Sequence, residues 1–357
     1  MNNRLRISNS EPQATINDIA SELGVSKTTV SRALSGKGRI GAKTRDRVLS
    51  YISERGYSPN LIAKSLAVSK TFNIAVALPK DTELHEIPFF QTCLHAITET
   101  AARREYDVVL SVITEEDISS VRRIVRNRKV DGIILTRPLA DDAAISYLEE
   151  TSLPFAVIGS PESDTAVRID SDHRSGCRDA TRHVLDRGFR RHVLLGGDPE
   201  HRVNQDRLAG YLEALRERNL SCAEGAEALA GGQERCVVWR LSGTRETEAA
   251  MPSIMAANPR CLVCMDDVIA GHALAWLFRR GVSIPRDLAM VSFHDSAALA
   301  SHNPPVSALH VHVSELASLA GNTLIDMIEG KAVRRVNVVP SEFVIRDSSR
   351  APPRAEE

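Results

Sequence analysis

Four residues near the N-terminus, Lys27, Thr28, Ser31 and Arg32, have the types and spacing for hydrogen-bonding chemistry on a nucleic acid. At helical spacing they share one side, and Val30, Ala33 and Leu34 take the other. Lys and Arg donate to guanine or phosphate, and Thr can bond a base edge or touch a thymine methyl. Ser26 is placed to cap this helix. Gly24 ends a preceding one, because the left-handed turn conformation costs glycine nothing. That first helix carries Ile16, Ile19, Ala20 and Leu23 in a three-four rhythm, with Thr15 or Asn17 as its cap. Two short helices about a tight turn form a helix-turn-helix, whose second helix enters a DNA major groove. A plain helical hairpin with a polar face is the bland alternative.

Other chemistry is poorly supported. Cys261 and Cys264 form a lone CxxC in a predicted strand, on opposite faces, without the second pair a zinc site needs. Gly196-Gly197-Asp198 lacks the Lys-Ser/Thr or third Gly of a phosphate loop. No nucleophile-base pair or cofactor fingerprint stands out, so neither an enzyme nor a metal or other cofactor is expected. The six cysteines read as reduced thiols.

The elements that position the polar face come next. A third helix is expected from Ala42 to Arg55, burying Val48, Leu49 and Ile52, with Gly41 as a weak cap. Residues 1–70 hold 12 Lys/Arg against 5 Asp/Glu, a net of +7, and the remaining 287 residues a net of −8. A basic head favours the phosphate backbone, and an acidic body limits unspecific adhesion to it. The body alternates strands with helices. Predicted strands are 73–78, 107–110, 132–135, 155–158, 192–195, 236–238, 261–264 and 289–293; predicted helices include 91–104, 174–187, 205–218 and 269–280. Near-continuous apolar strands between amphipathic helices imply parallel sheets covered on both faces, with ligands beyond the strands' carboxyl ends. With no leader and no membrane-length apolar run read in the sequence, a cytoplasmic location and no membrane partner are expected.

From Ile16 to Ser65 the chain resembles the LacI/GalR (lactose repressor) family of bacterial regulators. The resemblance rests on the run from Ile16 to Leu34, on Thr44-Arg45-Asp46-Arg47-Val48-Leu49, and on Gly56-Tyr57-Ser58-Pro59-Asn60. It continues more loosely to about Glu342. It implies an all-α head on an α/β, two-lobed body like periplasmic binding proteins, acting as a homodimer on palindromic operator DNA. The expected division is a tail over 1–14, the head over 15–58 and a hinge helix over 59–71. The body then spans 72–350, its first lobe 72–171 and 304–333, its second 172–303 and 334–350, before a tail over 351–357. DNA contacts are expected from Thr15, Ser26, Lys27, Thr28, Thr29, Ser31 and Arg32. In the hinge they come from Asn60, Ala63 and Leu66, the last as a wedge in the minor groove.

The resemblance also places effector contacts in strand-to-helix loops. These are Phe89 and Phe90, Thr136, Arg207 of the "RxxGY" element, Trp239 and Leu241, Asp266 and Asp267, and His294 and Asp295. Asp266 and His294 depart from the family's usual Asn and Asp, which leaves effector identity open. Asp172 and Gly176 match a "DNxxG" element with His173 in the Asn place, near the first crossing between lobes; residues 304–309 match a return to the first lobe. The expected function is a transcriptional regulator, a repressor first, controlled by a small molecule, most simply a sugar. A nucleobase effector and activation are alternatives; a solute-binding protein is the rival from another class.

Overall fold

The computed structural model describes residues 16–35, 38–54, 70–80, 88–139, 141–225, 228, 231–241 and 243–350. The chain divides into two compact units, residues 1–71 and 72–357. The expected sites Thr15, Asn60, Ala63 and Leu66, the two tails, and the hinge helix lie outside the described residues.

In the head unit, α1 (Ile16–Glu22), α2 (Lys27–Ser35) and α3 (Ala42–Glu54) enclose Ile19, Ala20, Val30, Ala33 and Val48. Gly24 has φ +60°, and the Val25 N–H donates to the Ala20 carbonyl, closing α1 with a glycine turn. Arg47 of α3 donates to the Leu23 carbonyl at 2.8 Å, tying the third helix to that turn. Two expectations need correction. Asn17 lies inside α1 and is not its cap. Leu49 is 41% exposed, and Tyr51 and Ile52 flank the buried Val48 instead. At about 100° per residue, Leu49 is a quarter-turn from Val48, whereas positions three and four later return to its side.

The body holds two sheets. In the first, β1 (Asn73–Pro79), β2 (Asp107–Ile113), β3 (Gly132–Leu135), β4 (Phe155–Ile158), β5 (Val167–Ser171) and β12 (Val336–Val339) run parallel in the order β12-β5-β4-β3-β1-β2. Strand alternation splits the apolar residues between two faces. Ile74, Val76 and Leu78 face α4 (Pro88–Arg103) and α12 (Val313–Ile328). Ala75 and Ala77 face α5 (Ser119–Arg126) and α6 (Ala143–Glu149).

The second sheet has the order β13-β11-β10-β9-β6-β8-β7. Its strands are β6 (His192–Leu195), β7 (Ala223–Glu224), β8 (Arg235–Val238), β9 (Cys261–Cys264), β10 (Ala289–Ser292), β11 (Ser307–Val311) and β13 (Ser341–Val344). Only the β11–β13 pair is antiparallel. Around it pack α7 (His173–Asp186), α8 (Arg202–Arg216), α9 (Thr244–Ala256), α10 (Asp267–Arg279) and α11 (Ala297–Ser301). No helix among the described residues is long and apolar enough to cross a membrane.

The lobe boundaries differ from the expected ones in two segments. Residues 307–311 were expected in the first lobe and 334–339 in the second, but β11 pairs within the second sheet and β12 within the first. The chain therefore crosses at Asp172, again between β11 and α12 at His312, and a third time at Pro340. Local bonds hold the first and third crossings together: Ser341 Oγ donates to the Asp172 carbonyl and Ser171 Oγ to that of Val339.

Candidate functional site

The head presents a polar surface on α2. Ser26 Oγ accepts from the Thr29 N–H at 3.1 Å and lies 2.8 Å from Thr29 Oγ1, so it caps the helix as its position predicts. Lys27, Thr28, Ser31 and Arg32 are all exposed, and Thr29 is half-buried beside them. Val30 and Ala33 are buried on the opposite side. Removing this cap is expected to loosen α2 by about 1 kcal/mol. Ser26→Ala would then show amide exchange in α2 roughly fivefold faster by hydrogen-exchange mass spectrometry. Unchanged protection would contradict the cap's role.

In the body, a cavity of about 180 Å³ lies between the two lobes. It opens where parallel strands end: Thr136 after β3, Gly159 and Ser160 after β4, Asp170 in β5, Gly197 after β6, Asp266 after β9 and His294 after β10. This is the crevice that parallel α/β sheets offer to ligands. Phe89 and Phe90 form its apolar wall with rings edge to face, 5.4 Å apart. Phe90 also belongs to the first lobe's core. Thr136 donates to the Ala77 carbonyl at 2.9 Å, which leaves its oxygen as an acceptor.

From the second lobe, Arg207 reaches the cavity from α8. It is 6% exposed, its Nε is buried without a partner, and the guanidinium makes no hydrogen bond or ion pair among the described residues. Asp266 caps α10 by accepting the Ile269 N–H at 2.8 Å; burial raises its carboxyl above the ordinary value although Arg207 lies nearby. His294 Nδ1 lies 3.1 Å from Asp267 Oδ1, and the His294 ring stands edge-on to Phe89 across the cleft. Burial alone would raise Asp267, but hydrogen bonds from His294, Ser296 and its own N–H hold it below the usual carboxylate range.

Three of the sequence-predicted contacts lie away from the cavity. β8 ends at Val238, and Arg240 adopts φ +66°, so strand alternation does not extend to Trp239 and Leu241. Trp239 covers Gly196, where a Cβ would lie 2.5 Å from its ring, and Leu241 is buried in the second lobe's core. Asp295 follows the β11 backbone and is held by both Arg346 nitrogens at 2.8 and 2.6 Å, with His310 at 3.4 Å.

The structure adds residues that sequence reasoning missed. Asp170 accepts from Ser160 Oγ at 2.6 Å and from the Ser171 N–H at 2.7 Å. Its strand, Val-Arg-Ile-Asp-Ser, has two charged residues and so lacks the continuous apolar run of the other central strands. The neighbouring His173 is buried at the start of α7, and burial, with Arg207 and His294 nearby, holds its imidazole well below the usual range. Arg202 bridges the cleft mouth to Glu162 at 2.9 Å, beside an isolated bridge between Leu139 and His201. The signal that could have found them is position: each borders the carboxyl end of a parallel strand or the helix after it.

Burial pushes the Asp170 carboxyl up to about 6 despite its hydrogen bonds. A carboxyl raised on folding binds more protons in the native state between its unfolded and folded values, so stability falls as pH rises through that window. The body should lose stability, by at most roughly 3 kcal/mol, from about pH 4 to about pH 6, and then level off. Urea unfolding of wild type and Asp170→Asn from pH 5.0 to 7.5 checks this. The stability of wild type minus that of the variant should fall with pH and flatten above about 6.5; a difference independent of pH would contradict it.

The chain matches two family models: bacterial regulatory proteins of the lacI family over residues 15–60, and a periplasmic binding protein-like domain over residues 181–349. The HTH-type transcriptional repressor PurR of Pasteurella multocida is 27% identical over 346 residues, covering 94% of this chain and 98% of the relative. The HTH-type transcriptional regulator MalR of Streptococcus pneumoniae is 31% identical over 210 residues, 58% of this chain and 64% of the relative. A solved lac repressor dimer, bound to operator and the anti-inducer ONPF, aligns with a TM-score of 0.77 at 23% identity, covering 95% of this chain and 99% of that one. The regulator CelR in complex with cellobiose aligns at 0.68 and 23%, covering 94% and 100%. The comparisons agree with the geometry: the chain carries a head of the bacterial regulatory protein lacI type and a periplasmic binding protein-like body, and is similar over nearly its whole length to HTH-type transcriptional repressors.

Proposed function

We propose that this protein is a transcriptional repressor that binds a palindromic operator as a homodimer and is controlled by a sugar-class molecule in the interlobe cavity. The observation that carries the reading is the pairing, in one chain, of an exposed recognition face on α2 with a cavity between lobes lined by Arg207, Asp266, Asp267 and His294. Lys27, Thr28, Ser31 and Arg32 read base edges, Thr15, Ser26 and Thr29 support them, and Asn60, Ala63 and Leu66 complete the contact at the centre of the site. Each head reads one half-site, so two copies are required. The protein works in the cytoplasm, where operator DNA is found, and catalyses no reaction.

The ligand acts by preferring one arrangement of the lobes; it shifts operator affinity only as far as it discriminates between them. A nucleobase effector is the second reading. The rings of Phe89 and Phe90 favour it, but both come from one wall, the His294 ring across the cleft stands edge-on to Phe89, and Trp239 lies away from the cavity. Selection of operator sequences from a random duplex pool, followed by binding with and without sugars and nucleobases, tests the reading. A palindromic consensus whose affinity changes with one sugar supports it. A response to a nucleobase alone favours the second reading, and tighter operator binding with ligand would make that ligand a co-repressor.

A further inference from the structure

We propose that the body carries a second DNA-contacting surface, a basic patch at the C-terminal end of α5 that binds backbone phosphates of the operator duplex. The inference rests on the operator-binding reading above and concerns a surface outside both the α2 face and the cavity.

The segment from Ser119 to Lys129 sets five cations, Arg122, Arg123, Arg126, Arg128 and Lys129, around the buried Val121 and Ile124. All five are exposed, and none joins an ion pair among the described residues. Arg122 lies over the Tyr147 ring at 5.5 Å. A helix dipole favours one or two cations at a C-terminus, but five this close repel one another. The acids Glu115, Glu116 and Asp117 precede α5, at its other end. Charge is thus separated along the helix, in a body that is acidic as a whole.

The turn after α5 is a second observation. The Asn127 N–H bonds the Arg123 carbonyl and the Lys129 N–H that of Ile124, and between them Arg128 adopts φ +47°. Glycine is the residue this helix-closing position favours, so the Arg128 charge is kept where it strains the backbone.

The place of the turn indicates the partner. Asn73 Nδ2 donates to the Lys129 carbonyl at 3.2 Å, and Asp131 accepts the Phe72 N–H at 2.9 Å. The patch therefore adjoins Phe72, the first residue of the body unit, where the chain arrives from the head. Fifteen residues, 55–69, separate Glu54 of α3 from Lys70. Such a tether spans at most roughly 55 Å, so a head on its site keeps duplex phosphate at high local concentration around this edge. Duplex DNA offers one charge per about 1.7 Å of axis to such cations. Two acids share the edge, Asp107 opposite Asn73 in register and Asp131 engaged with Phe72, and the cations outnumber them.

The test is fluorescence anisotropy of the full chain on its selected operator and on a scrambled duplex of equal length, at several salt concentrations. The variant is Arg126→Gln/Arg128→Gly/Lys129→Gln. Phosphate contacts carry no sequence choice, so both duplexes should lose at least about tenfold in affinity, and the log–log salt slope should become shallower by about two to three. Arg126→Lys, which keeps the charge, should bind as wild type does. Arg216→Gln/Arg245→Gln, which removes two exposed charges of the second lobe, should change neither affinity nor slope. Arg128→Gly alone should melt no lower than wild type while binding DNA more weakly, which separates charge from folding. Affinity and slope equal to wild type on both duplexes would overturn the proposal. If Lys27→Ala and Arg32→Ala still weaken the operator complex in that case, the operator reading stands without the patch. A triple variant that sediments as a monomer where wild type is a dimer would make the patch an interface between copies and overturn the proposal as well. The scrambled duplex keeps the test decisive even if operator preference fails.

Discussion

Gly210→Ala lowers the melting temperature of the body by roughly 6–12 °C, the equivalent of about 3 kcal/mol in a domain of this size. A Cβ at Gly210 would lie 2.1 Å from the Arg174 carbonyl oxygen and 3.0 Å from the Arg178 nitrogen. Both atoms are backbone of α7, so no side-chain rotation relieves the clash and the two helices must separate. Helix α7 buries Cys177, Ala180 and Val184 against the second sheet, and α8 buries Tyr211 and Leu215. Separation would loosen both and move Arg207, one turn before Gly210, away from the cavity, so ligand binding should weaken too. Gly271→Ala is the control. It stands exposed on α10 with nothing within 4 Å of its added methyl, and should stabilise by about 0.5–1 kcal/mol through helix propensity. Differential scanning calorimetry of the two variants separates close packing from generic helix effects. A Gly210→Ala melt within about 2 °C of wild type would contradict the account of that crossing.

Arg32→Ala and Lys27→Ala each weaken specific operator binding by roughly 10- to 100-fold, the value of a good base contact, and together by about a thousandfold. Both side chains are exposed on α2, while Val30 and Ala33 hold the opposite face in the core. The Arg32 stem runs beside Gly38, where a Cβ would lie 3.2 Å from it, so the guanidinium is carried on a supported arm. A substitution that removes a base contact relaxes preference at one operator position. One that removes a phosphate contact weakens all sequences alike and reduces the salt dependence of binding by about one ion. Operator titrations at several salt concentrations sort the two residues into these roles. Losses below about threefold for both variants would mean that α2 is not the reading helix.

The head was largely legible because it is local. Gly24, the Ser26 cap and the Val30–Ala33 face are each set by residues within a turn or two, and the structure returns all three. Leu49 failed because hydrophobicity alone does not say which side of a helix meets a small core. The alternation of strands and helices was equally legible, since buried parallel strands are continuous apolar runs. What escaped depends on distant pairing. β12 joins the first lobe by pairing with β5, far earlier in the chain, β11 stays beside β10 in the second, and β5 hides behind Arg168 and Asp170.

The cavity was legible in part. Phe89, Phe90, Thr136, Arg207, Asp266, Asp267 and His294 all line it. Asp295 does not, because Arg346, 51 residues further on, holds it elsewhere. Trp239 and Leu241 were misplaced by extending a strand past a residue with positive φ. Asp170 and His173 escape the expected contacts because one lies in a strand that carries two charged residues and the other stands where the chain crosses between lobes.

The measurement that bears most directly on the central claim is fluorescence anisotropy of the full chain on its selected operator, titrated with and without the compound that binds the cavity. The account predicts tight, salt-dependent binding to a palindrome, weakened at least about tenfold by the ligand. The ligand should bind correspondingly more weakly to the operator complex, because the coupling is reciprocal. An operator affinity indifferent to every cavity ligand, or no sequence-specific DNA binding at all, would contradict it.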